Sequence, residues 1–380
     1  MKTRLFSYPT PFTPPTTEED ELSVLRLFRS RRVGPTTFHK LIADHGTPEA
    51  ALAALPALAA ASGARDYAPC PEGVARAELA AGRRAGARLI TCLDPDYPAE
   101  LADLPDAPPV LWALGRRALL ARPRLAIVGT RNASSLGLRM TRSLAAELGA
   151  LGFVIVSGLA RGIDAEAHRA ALATGTIGVQ AGGIDVVYPA ENADLHAAMA
   201  ERGLRLSELP PGFEPRAPHF PQRNRIIAGL SRATIVIEAA PRSGSLQTAR
   251  LAGEQGREVM AVPGHPLDPR ASGCNMLLRD GATLVRGAED VCEALGIDWA
   301  PAARPAPPAA PEPEPQAVAP APGTSLRTLI LAALGPSPTP EDALIRALAA
   351  PTDRFLAEIT ALELEGQVQR HPGGQLSRVF

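Results

Sequence analysis

At 380 residues the chain is long enough for two to three domains, and an apolar content of 46% is ample for real cores, although aromatics at 4% leave most packing to aliphatics and alanine. A formal net charge of −1 excludes global basic character, so any nucleic-acid site has to be a local patch. Lysine occurs only at Lys2 and Lys40, which leaves arginine, suited to forked phosphate contacts and to stacking on bases, as nearly all of the positive charge.

Residues 1–17 hold Pro9, Pro11, Pro14 and Pro15 without an apolar h-region, and read as a disordered leader rather than a signal peptide. A helical domain is predicted over 18–70. Leu22, Leu25, Leu27 and Phe28 lie at helical spacing, Gly34-Pro35 punctuates, and Thr47 is placed to cap the next helix. The pattern resembles small helix-hairpin-helix and sterile-alpha-motif modules. Such a hairpin can hold a DNA phosphate on backbone N–H groups beside Arg31 and Arg32; plain helical packing is the alternative.

Residues 75–298 are expected to form an extended Rossmann-like domain. A helix over Ala75–Ala85 and strand-like pieces at Ala87–Leu93 and Pro108–Gly115 would extend the edge of its sheet. Beyond Pro123, strands are expected at 124–129, 153–157, 176–180, 204–206, 233–238 and 258–262. Helices are expected at 135–151, 164–173, 192–202, 220–229, 244–255 and 287–295. Alternation of this length argues for an α/β fold with a parallel, doubly wound sheet. A Pro/Ala-rich linker over 299–323 is too proline-rich to fold. Residues 324–380 show three helices and a two-stranded ribbon, a winged-helix pattern. Its third helix carries Glu358, Glu363 and Glu365, so protein contact is as open a role for it as DNA contact.

Several chemistries are excluded. There is no G-x-x-x-x-G-K-[ST], and no lysine anywhere in the core to serve as a P-loop lysine. Neither G-x-G-x-x-G, H-E-x-x-H nor G-x-S-x-G occurs. Cys70, Cys92, Cys274 and Cys292 lack metal-ligand spacing and suggest reduced thiols in a cytoplasmic protein. No run approaches about eighteen apolar residues, so no membrane span is predicted.

What the core does contain is a set of small polar turns at strand ends, where backbone N–H groups favour anions. Gly129-Thr130-Arg131, with Ser134 before a helix, is the first. Ser157, Gly158, Arg161 and Gly162 form the second; Asp164 is expected to cap the following helix, with His168 on the same face, an Asp/His pair better read as structural than as acid–base. Ala181-Gly-Gly-Ile-Asp185 and Tyr188-Pro189 make the third. Ser243, Gly244 and Ser245 open a fourth. Phe220, Arg223, Asn224 and Arg225 combine a ring, two guanidinium groups and an amide within six residues, the mix that binds single strands, with Arg216 and His219 just before. All four turns are expected to converge on one crevice.

The ordered set Ile127-Val-Gly-Thr-Arg131, Ser157-Gly-Leu-Ala-Arg-Gly-Ile-Asp164, Gly182-Gly-Ile-Asp185, Phe220-Pro-Gln-Arg-Asn-Arg225 and Ser243-Gly-Ser-Leu-Gln-Thr248 resembles the DprA/Smf family of DNA-processing proteins, most strongly over about 120–292. The resemblance implies a non-enzymatic, cofactor-free protein of natural transformation. Such a protein protects incoming single-stranded DNA, loads RecA on it, and works as a homodimer. Other DNA-uptake or single-strand-binding proteins are further implied partners. Family members often carry a lysine shortly before the aromatic; here Arg216 and Ala217 occupy that stretch. Two alternatives remain. One is a Rossmann-type nucleotide phosphoribohydrolase, although the glycine pair and glutamate of its motif are missing from Pro241–Thr248. The other is a protein adaptor without DNA contact.

Overall fold

The computed structural model describes residues 17–63, 66–297, 325–336 and 338–379. The expected leader up to residue 16 and the expected linker lie outside them. The N-terminal helices are α1 (Glu18–Arg29), α2 (Pro35–His45), α3 (Pro48–Ala61) and α4 (Glu72–Arg84). Thr17 and Asp20 close a reciprocal capping box on α1, Pro35 opens α2, and the Thr47 side chain caps α3. Leu25, Phe38, Ile42 and Leu52 share one core with Leu79 of α4 and with Leu89, Val110 and Trp112 of the first two strands. The helical unit is therefore bonded into the sheet edge, not suspended beside it.

The sheet and its crossovers run β1 (Arg88–Thr91), α5 (Ala99–Ala102), β2 (Val110–Gly115), β3 (Arg124–Val128), α6 (Ser135–Ala150), β4 (Val154–Ser157), α7 (Ile163–Ala171), β5 (Thr176–Val179), α8 (Ala193–Arg202), β6 (Leu204–Ser207), α9 (His219–Gly229), β7 (Ala233–Val236), α10 (Gly244–Glu254), β8 (Glu258–Ala261), α11 (Ser272–Arg279), β9 (Thr283–Leu284) and α12 (Ala288–Ala294). The spatial order is β1-β2-β6-β5-β4-β3-β7-β8-β9. Pairings from β6 to β9 are parallel, while β1 and β2 add an antiparallel edge. This is the doubly wound architecture expected. The strand order reverses between β3 and β7, which puts the topological switch point there. Strands buried on both faces explain the unbroken apolar runs, such as Leu125-Ala-Ile-Val128, every residue of which is buried.

The C-terminal unit holds α13 (Leu326–Ala333), β10 (Thr339–Pro340), α14 (Glu341–Leu348), α15 (Thr352–Leu364), β11 (Val368–His371) and β12 (Gln375–Arg378). Ile330, Leu344, Phe355, Ile359 and Leu362 form its core. The expected two-stranded ribbon gains a third strand, since β10 pairs with β12. The three glutamates expected on the third helix are engaged within the unit: Glu358 of α15 and Glu365 just past its end pair with Arg327, and Glu363 pairs with Arg370.

Candidate nucleic-acid interface

A cleft of about 380 Å³ opens at the carboxyl ends of β3, β4 and β5. Arg131 from the turn after β3, Arg161 from the turn after β4, Tyr188 from the turn after β5, and Phe220 and Arg223 from α9 line it. The Arg131 guanidinium carbon stands 5.3 Å from the centre of the Phe220 ring. Tyr188, 46% exposed, packs its ring 5.5 Å from Phe220 at a tilt of 54°. The rim is therefore two aromatic faces flanked by an arginine, and Arg161 lies 3.6 Å from Glu191 across the opening. Guanidinium groups in such a place can take a phosphate, and rings of this kind can stack on any base.

The floor is built by burial. Arg223 is only 7% exposed, and its Nη1 donates to the Val179 carbonyl at 2.6 Å. Burial pulls Arg223 down to about 10, Asp164 opposes the shift, and Arg131 reinforces it; the group stays cationic at neutral pH. Burial also pushes the Asp164 carboxyl up, with Arg223 as the main opposing influence. Gly158 makes room for this pair, because a Cβ there would sit 2.0 Å from Arg223 Nη1. Gly162, at φ +73°, lets the second turn press on the first, where a Cβ would come within 2.4 Å of the Thr130 carbonyl oxygen. Leu159 is held in the left-handed region at φ +60°, and Asn192 Nδ2 donates to its carbonyl at 2.9 Å. Gln180 fixes the third turn, its Nε2 donating to the carbonyls of Gly183 and Val186 at 3.0 and 2.9 Å.

Several expected site residues lie elsewhere. Ser134 is buried beside the switch point, where its N–H and hydroxyl both donate to the Glu238 carboxylate. The chain's own carboxylate thus fills the anion position at the start of α6. Ser157 is buried and donates to the Ile127 carbonyl at 2.6 Å. Gly129 packs on Ile163, and Thr130 is tied to Glu238 and Ile163 through its backbone. Asn224 donates to the Gly244 carbonyl, and Ser243 pairs with Ser245. The fourth turn is therefore held against α9 and does not line the cleft, so three turns converge instead of four. Arg225 leaves the cleft for Glu208 and Asp106. Arg216 is exposed one residue beyond Pro215, which does line the cleft.

Asp164 does not cap α7. It lies within the first turn and accepts from the N–H groups of Gly158 and Ala160 at 3.2 and 3.4 Å. His168 bonds instead to Thr176 Oγ1 at 2.7 Å, and burial holds it down to about 3, so it is a neutral core histidine. The sequence placed Tyr188 in the third turn without marking its ring as a binding surface, and it gave no signal for Gln180.

The comparisons with known proteins agree along the chain. Residues 88–296 match the family described as DNA recombination-mediator protein A, 18–81 the DprA-like N-terminal HHH domain, and 300–374 the DprA winged helix domain. DNA processing protein DprA of Bacillus subtilis is 47% identical over 220 residues, covering 57% of this chain and 74% of that protein. Protein Smf of Escherichia coli is 40% identical over 283 residues, covering 73% of this chain and 74% of its own length. The crystal structure of DprA from Streptococcus pneumoniae gives a TM-score of 0.57 at 34% identity, over 75% of this chain and 95% of that one. DNA processing protein A of Helicobacter pylori, solved for its unique single-stranded DNA binding mode, gives 0.51 at 33% identity, over 56% of this chain and 97% of that one. With one family matched across more than half its length and related domains on both sides, the chain belongs to the DprA/Smf family.

Proposed function

We propose that this protein binds single-stranded DNA in the cleft walled by Arg131, Phe220 and Tyr188, and acts as a recombination mediator in natural transformation. The observation that carries the reading is the packing of Arg131 and Tyr188 against Phe220 above a buried, charge-balanced Arg223. A single strand offers both phosphates and unstacked bases to that surface, whereas a duplex hides its base faces. The family description and the Helicobacter pylori relative's binding mode support it. Delivery of the strand to RecA, in the cytoplasm, extends the same reading. So does a homodimer, for which Leu284 on edge strand β9 and Met276 on α11 are exposed at 45% and 40%. The reading is one of binding: of the Asp164/His168 pair, His168 is held in the core on Thr176. No helix among the described residues is long and apolar enough to cross a membrane.

The test is a salt titration of a labelled oligothymidylate by fluorescence anisotropy. Arg131→Ala should weaken binding about tenfold and make the log–log salt slope shallower by about 0.7, one phosphate contact on a single strand. Phe220→Ala should lose about as much affinity while keeping the slope, since a ring stacks without releasing counterions. Wild-type affinity and slope in both variants would remove the cleft from consideration.

A further inference from the structure

We propose that Arg225 is a positioning residue which fixes the pose of α9 and ties it to the N-terminal helices; the inference rests on the single-strand reading of the cleft. Two positions along a helix of 3.6 residues per turn are about 200° apart. With Arg223 facing the cleft, Arg225 therefore faces away from it. Its side chain is 12% exposed; its Nη2 donates to both Glu208 carboxylate oxygens at 2.6 and 2.8 Å, and its Nε lies 3.5 Å from Asp106. Gln255 donates to the Arg225 carbonyl at 3.1 Å. With carboxylates at Nη2 and at Nε, the guanidinium is constrained in orientation as well as in distance.

Two lines of contact reach this point from the N-terminal helices. Arg29 of α1 donates to the Glu208 backbone carbonyl at 3.0 Å and forks onto Glu78 of α4 at 2.9 and 3.0 Å. Glu78 in turn accepts from Trp112 Nε1 at 3.0 Å, which anchors that line in strand β2. Separately, His39 of α2 lies 2.9 Å from the carbonyl of Ala107, the neighbour of Asp106. The first line ends on the backbone of Glu208, and the second on the residue next to Asp106. Side chains stand about 5–6 Å from a helix axis, so a roll of about 20° would carry Phe220 and Arg223 about 2 Å out of register with Arg131 and Val179. The N-terminal helices thus act on DNA binding through α9, without touching DNA.

The experiment uses the full chain and compares Arg225→Met and Arg29→Met with wild type and Arg131→Ala in the same anisotropy titration, with deuterium exchange at the backbone amides of α9. Arg225→Met should bind about tenfold more weakly and Arg29→Met about threefold, both with the wild-type salt slope. Amides of α9 should exchange faster in both. A slope for Arg225→Met as shallow as that of Arg131→Ala would make Arg225 a phosphate contact and overturn the proposal. Wild-type affinity and exchange in both variants would overturn it too. If Arg225→Met does not fold, Arg29→Met decides by the same two readouts. If wild type does not bind, or Arg131→Ala changes nothing, the DNA reading fails, and exchange in α9 still judges the coupling.

Discussion

At the scale of single residues the cleft depends on a fit between a missing side chain and a buried charge. Gly158 has no Cβ, and the space is taken by the Arg223 guanidinium. Gly158→Ala should push that guanidinium off the Val179 carbonyl. A charge-assisted bond of this kind contributes about 1.5–3 kcal/mol. Single-strand affinity should fall at least about tenfold, and the melting temperature should drop with it. Gly244, which meets nothing within 4 Å, is the contrast. Gly244→Ala should melt and bind as wild type, and a loss of binding there would return the fourth turn to the site. That Arg131, Phe220 and Arg223 line one cleft was legible, because a turn after a strand and a helix start on the same side of the sheet bring such residues together. Arg225 was misplaced for a readable reason. Its two-residue offset from Arg223 on a predicted helix already sends it to the opposite face. The tie between Asp164 and the turn of Gly158 and Ala160 was not readable, because a helix start one residue earlier removes it from the capping position.

At the scale of elements, the alternation of strands and helices was plain in the sequence, since strands buried on both faces are continuous apolar runs ending at glycines. What was not plain was which helix N-terminus stays open to an anion. The start of α6 follows β3 at the switch point, where open sheets of this kind place ligands. Here Glu238, just past β7, reaches across and accepts from Ser134. Burial raises its carboxyl, and the Ser134 bonds oppose that shift. A contact between residues over a hundred positions apart leaves no local signal. Glu238→Ala should cost about 1–2 kcal/mol by stranding the Ser134 N–H and removing a negative charge from the helix start. Millimolar phosphate should recover part of the lost melting temperature in the variant and leave wild type unmoved. Single-strand affinity should be unchanged, because the Glu238 side chain does not line the cleft and its backbone contact with Thr130 survives the change. A variant that melts as wild type would show that the carboxylate is not holding α6.

At the scale of the molecule, a net charge of −1 leaves room for a local positive site: the cleft gathers Arg131, Arg161 and Arg223 against one lining carboxylate, Glu191. The C-terminal unit raises the same question. The three glutamates on and just past α15 are paired with Arg327 and Arg370, so the acidity read from sequence is largely internal. A hydrogen-bonded tie between this unit and the core is made by Arg270, in the loop before α11. Its Nη1 and Nη2 donate to the carbonyls of Ala332 and Leu334 at 2.7 and 3.0 Å, where α13 ends. A cation there also meets the negative end of the helix dipole. Asp268 braces the guanidinium at 3.1 Å. Arg270→Ala should therefore release the C-terminal unit while leaving both hydrophobic cores whole. Small-angle scattering should record a larger radius of gyration, and limited proteolysis should cut faster between core and C-terminal unit. Because the latch stands away from Arg131 and Phe220, the salt slope for single-stranded DNA should not change. A slope that steepens in Arg270→Ala would mean that the docked unit shields part of the DNA path. Unchanged dimensions would mean that contacts other than Arg270 hold the unit in place.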